Sequence, residues 1–152
     1  MKIIVDDLTG PEIAELLEQH LQDMRATSPP ESKHALDLAA LRDHSITFWT
    51  IWDQKLLAGC IALKRLTSQH GEIKSMRTAN GFARQGVASR LLDHLLQEAH
   101  NQGYQRLSLE TGSMEYFKAA RNLYAKHGFT ECKPFADYQE DPNSIYMTKE
   151  LL

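Results

Sequence analysis

Residues 83–89, Ala83-Arg84-Gln85-Gly86-Val87-Ala88-Ser89, carry the strongest chemical signal in this 152-residue chain. The run joins a strand-like segment to a long amphipathic helix. A helix start exposes up to four unpaired N–H groups and a partial positive charge. Gly86 and Ala88 leave room for a bulky anion to approach that backbone. Arg84 adds a permanent cation able to bond phosphate. Together they describe a pyrophosphate cradle, although the same residues suit a plain surface turn. The run has neither the G-x-G-x-x-G of dinucleotide folds nor the GxxxxGK[ST] of P-loops. Elsewhere, His34 can take a proton near neutrality, and Arg77 can hold a carboxylate. The loop 135–143 holds Asp137, Tyr138, Glu140 and Asp141. Its carboxylates could hold an ammonium group, or form only a solvated acidic face.

The elements that must position these residues are legible from periodicity. Residues 2–6 predict a strand. Thr9 and Glu12 have capping-box spacing, and Ile13, Leu16, Leu17, Leu21 and Met24 predict a helix over 11–25. Pro29-Pro30 interrupts regular structure, and a short helix follows over 36–42. Residues 45–52, 56–66 and 72–78 predict sequential strands with short links, hence an antiparallel meander. Val87, Leu91, Leu92, Leu95, Leu96 and Ala99 share one helical face, and Gly103 ends that helix. A strand over 105–110, a helix over 115–127 ending at Gly128, and strands over 129–134 and 144–149 complete the chain. This order predicts a mixed α/β sheet with helices on both faces.

Composition excludes several classes. Apolar residues make up 42% and charged residues 24%, near the globular average, and the length fits one domain, residues 1–152. The net charge of −3 gives no electrostatic argument for nucleic acid. No run reaches the roughly 20 apolar residues of a membrane span, and the N-terminus does not resemble a signal peptide. The expectation is a cytoplasmic protein with no nucleic-acid or membrane partner. Cys60 and Cys132 read as reduced buried thiols, and no Cys/His spacing suggests a metal. The histidines at 20, 44, 70, 94, 100 and 127 read as surface residues, and Trp49 and Trp52 as packing residues. An edge strand near residues 144–149 would allow a homodimer.

The order of elements resembles the GNAT superfamily of acyl-CoA N-acyltransferases, over nearly the whole chain. Residues 83–88 are similar to its [QR]-x-x-G-x-[GA] signature, with Gly86 and Ala88 matching and Ala83 departing. Ala120-x-x-Leu123-Tyr124-x-x-x-Gly128-Phe129 is similar to its A-x-x-L-Y-x-x-x-G-F signature. An Asn often stands three residues before that Ala; here it is Phe117. The segments 28–32, 34–37, 72–78, 109–112, 134–138 and 141–144 resemble a bacterial subfamily of acetyltransferases. The implied fold is a GNAT-like mixed, mostly antiparallel sheet flanked by helices on both faces.

The resemblance also implies roles. Acetyl-CoA is the implied cosubstrate, with no metal. Its pantetheine arm would lie along the Met76-Arg77-Thr78 stretch like an added strand, meeting the N–H groups of Met76 and Thr78. Arg84, Gln85, Gly86, Val87, Ala88 and Ser89 would hold the pyrophosphate. Tyr124 occupies the place of the proton donor to the departing thiolate. Glu72 is the first candidate base, working through a raised proton affinity or a water chain, and His34 is the second. Strict alternation puts Glu72, Lys74, Met76 and Thr78 on one face and Ile73, Ser75 and Arg77 on the other, unless a bulge breaks that parity. The acceptor pocket is expected between residues 28–34, including Ser28 and Glu31, strand residues 48–52, and the loop 135–143, including Asp137 and Tyr138. The expected reaction is direct acetyl transfer to a small or amino-acid-like amine. An acyl-CoA sensor without turnover, or a protein N-acetyltransferase, would share the fold.

Overall fold

The computed structural model describes residues 1–27 and 38–151. Its strands are β1 (Lys2–Val5), β2 (Ile46–Asp53), β3 (Leu56–Arg65), β4 (His70–Thr78), β5 (Arg106–Gly112), β6 (Thr130–Cys132) and β7 (Ser144–Glu150). Its helices are α1 (Pro11–Thr27), α2 (Leu38–Leu41), α3 (Val87–Asn101) and α4 (Lys118–Lys126), with a 3-10 turn over Glu115–Phe117 ahead of α4. The seven strands form one sheet in the order β1-β2-β3-β4-β5-β7-β6. Every neighbour pair is antiparallel except β4–β5, which is parallel and joined through α3. A parallel pair needs such a crossover, and a helix supplies it. The predicted element order and mixed sheet are therefore present.

The sheet separates two cores. One face packs α3 and α4 against Trp49, Ile61, Leu63, Ile73, Leu107 and Leu109. The other packs α1 and α2 against Phe48, Cys60 and Ala62. Val87, Leu91, Leu92, Leu95 and Ala99 are the buried residues of α3. Each of the larger ones contributes about 1.5–3 kcal/mol by leaving water. Leu96, predicted on the same face, is only partly buried.

Several expectations are corrected. The strand predicted over 72–78 begins at His70, and the predicted helix over 115–127 is a 3-10 turn followed by α4. The Thr9–Glu12 capping box does not form. The Thr9 hydroxyl donates to Asp7 Oδ1 at 2.6 Å, and the helix opens instead on Pro11, where a missing N–H does no harm. Strand β7 is not an edge: it lies between β5 and β6, and the sheet edges are β1 and β6. The argument for a homodimer through residues 144–149 therefore falls. Cys60 is buried, but Cys132 is half-buried, and both are free thiols.

The feature that shapes the site is an irregularity in β4. Cys60 pairs with Arg77, and Ala62 with Lys74, so Ser75 and Met76 together oppose Ile61. Ser75 takes φ 55°, and the Cys60 thiol donates to its carbonyl at 3.3 Å. Bulges of this kind re-aim side chains and end strand pairing. Pairing of β4 with β5 stops at Ile73–Leu109, although the strands run on to Thr78 and Gly112. Beyond that point they diverge.

Close packing holds the diverging strand down. A Cβ on Gly59 would lie 2.7 Å from the Arg77 carbonyl oxygen and 2.9 Å from Val87 Cγ1. We expect Gly59→Ala to destabilise the fold by about 1–3 kcal/mol, as overpacking does. Urea unfolding measures this; an unchanged midpoint would show that α3 does not press on the sheet there.

Candidate functional site

A cavity of about 510 Å³ opens where β4 and β5 separate, a size suited to a small ligand. The bulge decides which side chains face which wall. Ile73 and Met76 lie against the α3–α4 core. Arg77 shares a face with Cys60, and Lys74 with Ala62, because paired residues point the same way. Strict alternation, which put Met76 with Lys74 and Arg77 with Ile73, is therefore broken at Ser75. The Ala79 N–H donates to Ala58 O at 2.8 Å. The two-residue period of the ladder then turns the Thr78 N–H to the opposite edge, toward the gap.

On the α1 side, Glu72 is 3% exposed and sits in a compact polar trio. Glu72 Oε2 accepts from Lys74 Nζ at 2.9 Å and from the Tyr138 hydroxyl at 2.6 Å. Lys74 also donates to the Tyr138 oxygen at 3.1 Å. Burial and the Glu72 charge, with the hydrogen bond it accepts, raise the Tyr138 phenol far above its ordinary range. Its ring is held by Phe135 and Tyr146, at centroid distances of 5.1 and 5.5 Å. Glu110 faces the same cavity and accepts from Ser144 Oγ at 2.9 Å. Sequence reading missed Glu110, yet its signal was there. Leu107 and Leu109 are core residues, so Ser108 and Glu110 must share the other face of β5.

On the α3–α4 side, Tyr124 is 6% exposed, and its hydroxyl donates to Met76 Sδ at 3.8 Å. Burial, with a smaller effect of Glu110, raises this phenol well above its ordinary range. It therefore stays protonated near neutral pH. Phe117, at the departed Asn position, lies directly on Gly112, where any Cβ would collide with its ring.

The loop before α3 has the expected form. Gly86 caps the helix at φ 78° with no side-chain cap, Arg84 takes φ 64°, and both are exposed. The first helical bond runs from Arg90 N to Gly86 O, which leaves the amides of Val87, Ala88 and Ser89 without an intrahelical acceptor. The Val87 side chain is buried in the core, so its amide alone is available to a ligand. Gln85 Nε2 donates to Gly81 O at 3.1 Å, and Ser89 Oγ lies 3.5 Å from His127 Nε2. Ala83 and Ala88 line the cavity.

Other expected site residues fall elsewhere. Ser28, Glu31 and His34 lie outside the described residues. Asp137 is exposed and is not part of the cavity wall. Residues 48–52 do not line it either, because β3 stands between β2 and β4. Trp49 packs edge-on against His94 at 5.7 Å, and Trp52 donates to Thr50 Oγ1 at 2.8 Å. Four histidines are not plain surface residues. His20 lines the cavity, His70 contacts Ser108 Oγ at 2.7 Å, His94 packs on Trp49, and His127 meets Asp93 at 2.9 Å. Among the described residues no group of three or more His, Cys, Asp or Glu could hold a metal, and no helix is long and apolar enough to cross a membrane.

The sequence model of the acetyltransferase (GNAT) family matches residues 12–129. An uncharacterized N-acetyltransferase of Bacillus subtilis (strain 168), YsnE, is 56% identical over 99% of this chain and 100% of its own length. A crystal structure assigned as an acyl-CoA N-acyltransferase from Klebsiella pneumoniae superposes with TM-score 0.81 at 27% identity, covering 99% of this chain and 97% of that one. A GNAT family acetyltransferase from Elizabethkingia anophelis with acetyl-CoA bound gives TM-score 0.70 at 22% identity, over 99% and 97% of the two chains. The chain belongs to the acetyltransferase (GNAT) family.

His20 gives the site a pH signature. Burial, then the nearby Arg77 guanidinium, lowers its imidazole to about 4, against an opposing pull from Asp23. An unfolded His takes a proton near 6.5. Between those values the unfolded chain binds more protons, so stability falls as pH drops from about 6.5 to about 4. We expect His20→Gln to flatten that slope in denaturant unfolding measured across the window. Equal slopes in the two proteins would contradict the assignment.

Proposed function

We propose that this chain moves the acetyl group of acetyl-CoA to the amine of a small molecule by direct attack in a ternary complex. The observation that carries this reading is that Glu72 and Tyr124 reach one cavity from opposite faces of the split sheet. A proton acceptor and a proton donor thus flank the gap where the exposed β4 edge can take a thioester arm. Family membership and the acetyl-CoA held by the Elizabethkingia structure support the cosubstrate.

The N–H groups of Met76 and Thr78 receive the pantetheine arm as an added strand. The amides of Val87–Ser89, with Arg84 and the Gly86 turn, receive the pyrophosphate. The acceptor nitrogen attacks the thioester carbonyl carbon, and the carbon–sulfur bond then breaks. Glu72 takes the amine proton, directly or through water, and Tyr124 gives its proton to the departing thiolate. Tyr138 and Lys74 orient the Glu72 carboxylate. Burial pushes the Cys60 thiol up to about 12, so it is a poor nucleophile, in keeping with attack without an acyl-enzyme.

Isothermal titration with acetyl-CoA and CoA, paired with thiol release across an amine panel, tests the reading. Binding and acceptor-dependent release are expected. Tyr124→Phe should lower kcat by about 10²-fold or more while sparing acetyl-CoA affinity. Binding without release from any acceptor would favour an acyl-CoA sensor, which Tyr124→Phe would leave unchanged. No binding would overturn the reading.

A further inference from the structure

On the α1 side of the cavity, two buried polar atoms have no hydrogen-bond partner among the described residues: His20 Nδ1 on α1 and Arg77 Nε on β4. Buried polar groups are nearly always hydrogen-bonded, so two unsatisfied atoms on neighbouring residues call for an explanation. Both residues line the cavity. The Arg77 side chain is 10% exposed, and the bulge at Ser75 is what turns it onto this face.

The guanidinium is held from one end only. Arg77 Nη1 pairs with Asp23 Oδ2 at 2.6 Å and donates to the Tyr116 hydroxyl at 3.2 Å. The Tyr116 hydroxyl in turn donates to Asp23 at 3.3 Å. These contacts fix the plane of the group. Its other edge, Nε and Nη2, makes no hydrogen bond among the described residues. Two parallel N–H groups on one edge of a guanidinium match the two oxygens of a carboxylate. The neighbouring imidazole is kept neutral by burial and by Arg77 itself. A neutral imidazole does not repel the guanidinium, and it retains one N–H to donate.

We propose that the Nε/Nη2 edge of Arg77, with His20 beside it, binds a carboxylate of the acceptor, so that the acceptor is an amino acid. This inference rests on the acetyltransferase reading above and narrows its acceptor class. The amine of such a molecule is directed toward Glu72, which lines the same cavity from the same strand. Asp23 and Tyr116 are positioning residues that hold the guanidinium plane. Replacing Arg77 by Lys keeps the charge but loses the fork.

The test compares free amino acids with their amides, in which a neutral carboxamide replaces the carboxylate. Wild-type protein is assayed by thiol release from acetyl-CoA, so the comparison does not depend on a variant that folds. At least one free amino acid should support release, with kcat/KM at least 10-fold above its amide. In Arg77→Gln the KM for that amino acid should rise at least 10-fold, and the acid-over-amide preference should collapse toward unity. Arg77→Lys should recover only part of the preference, and the acetyl-CoA dissociation constant should stay unchanged in both variants. A purely structural role would alter stability without erasing the preference. Amides or plain amines used as well as the acids would overturn this inference and leave the transferase reading standing. Acetyl-CoA binding with no release from any amino acid would overturn it as well. Failure to bind acetyl-CoA at all would overturn the reading beneath it.

Discussion

The rest of the site depends on strand β4 leaving its parallel neighbour. Up to Ile73 it is an ordinary central strand, paired on both sides. At Ser75 one extra residue enters the antiparallel ladder. The extra residue restores pairing to β3 but releases the other edge. A sheet interior seldom leaves backbone donors without a strand to receive them. Here the ladder turns the Thr78 N–H toward a cavity, where the proposed thioester arm would add to the sheet.

The same residue sorts the chemistry by face. Without it, Met76 would share the α1 side with Lys74, and Arg77 would point into the α3–α4 core. With it, Met76 meets the Tyr124 hydroxyl, and Arg77 reaches Asp23 and Tyr116. The α3–α4 side of the cavity thereby becomes largely apolar, with the buried Tyr124 phenol on its wall. The α1 side gathers Glu72, Lys74, Arg77, Glu110 and Tyr138 around the cavity. Such a division suits a reaction in which one reactant is a long thioester arm and the other a small polar amine. Cys60 contributes from beneath, since its thiol donates to the Ser75 carbonyl and ties the bulge to β3.

Much of this was legible in the sequence. The amphipathic spacing from Val87 to Ala99 located α3, and the β-branched and aromatic runs located the meander. The loop over 83–89 and the Tyr124 helix carried the family resemblance. What was not legible depends on pairing rather than pattern. Strict alternation reverses the faces of Met76 and Arg77; the resemblance allowed for a bulge that breaks this parity, but alternation alone could not reveal which residue of 72–78 is extra. The resemblance put residues 48–52 on the pocket wall, but sheet order puts β3 between them and the cavity. Glu110 was missed and His20 read as a surface residue because a lone charged residue on a strand, or a lone His on a helix, gains meaning only from the neighbours that the fold brings to it. The proposed edge at 144–149 failed for the same reason, since β6 returns to cover β7.

The central claim is that the released edge of β4 and the start of α3 receive one ligand together. Residue-resolved amide hydrogen exchange with and without saturating acetyl-CoA tests it directly. The account predicts slowed exchange at Met76, Thr78 and Val87–Ser89, with little change along β1 and β2. Saturable binding that leaves those amides exchanging as in the free protein would contradict it.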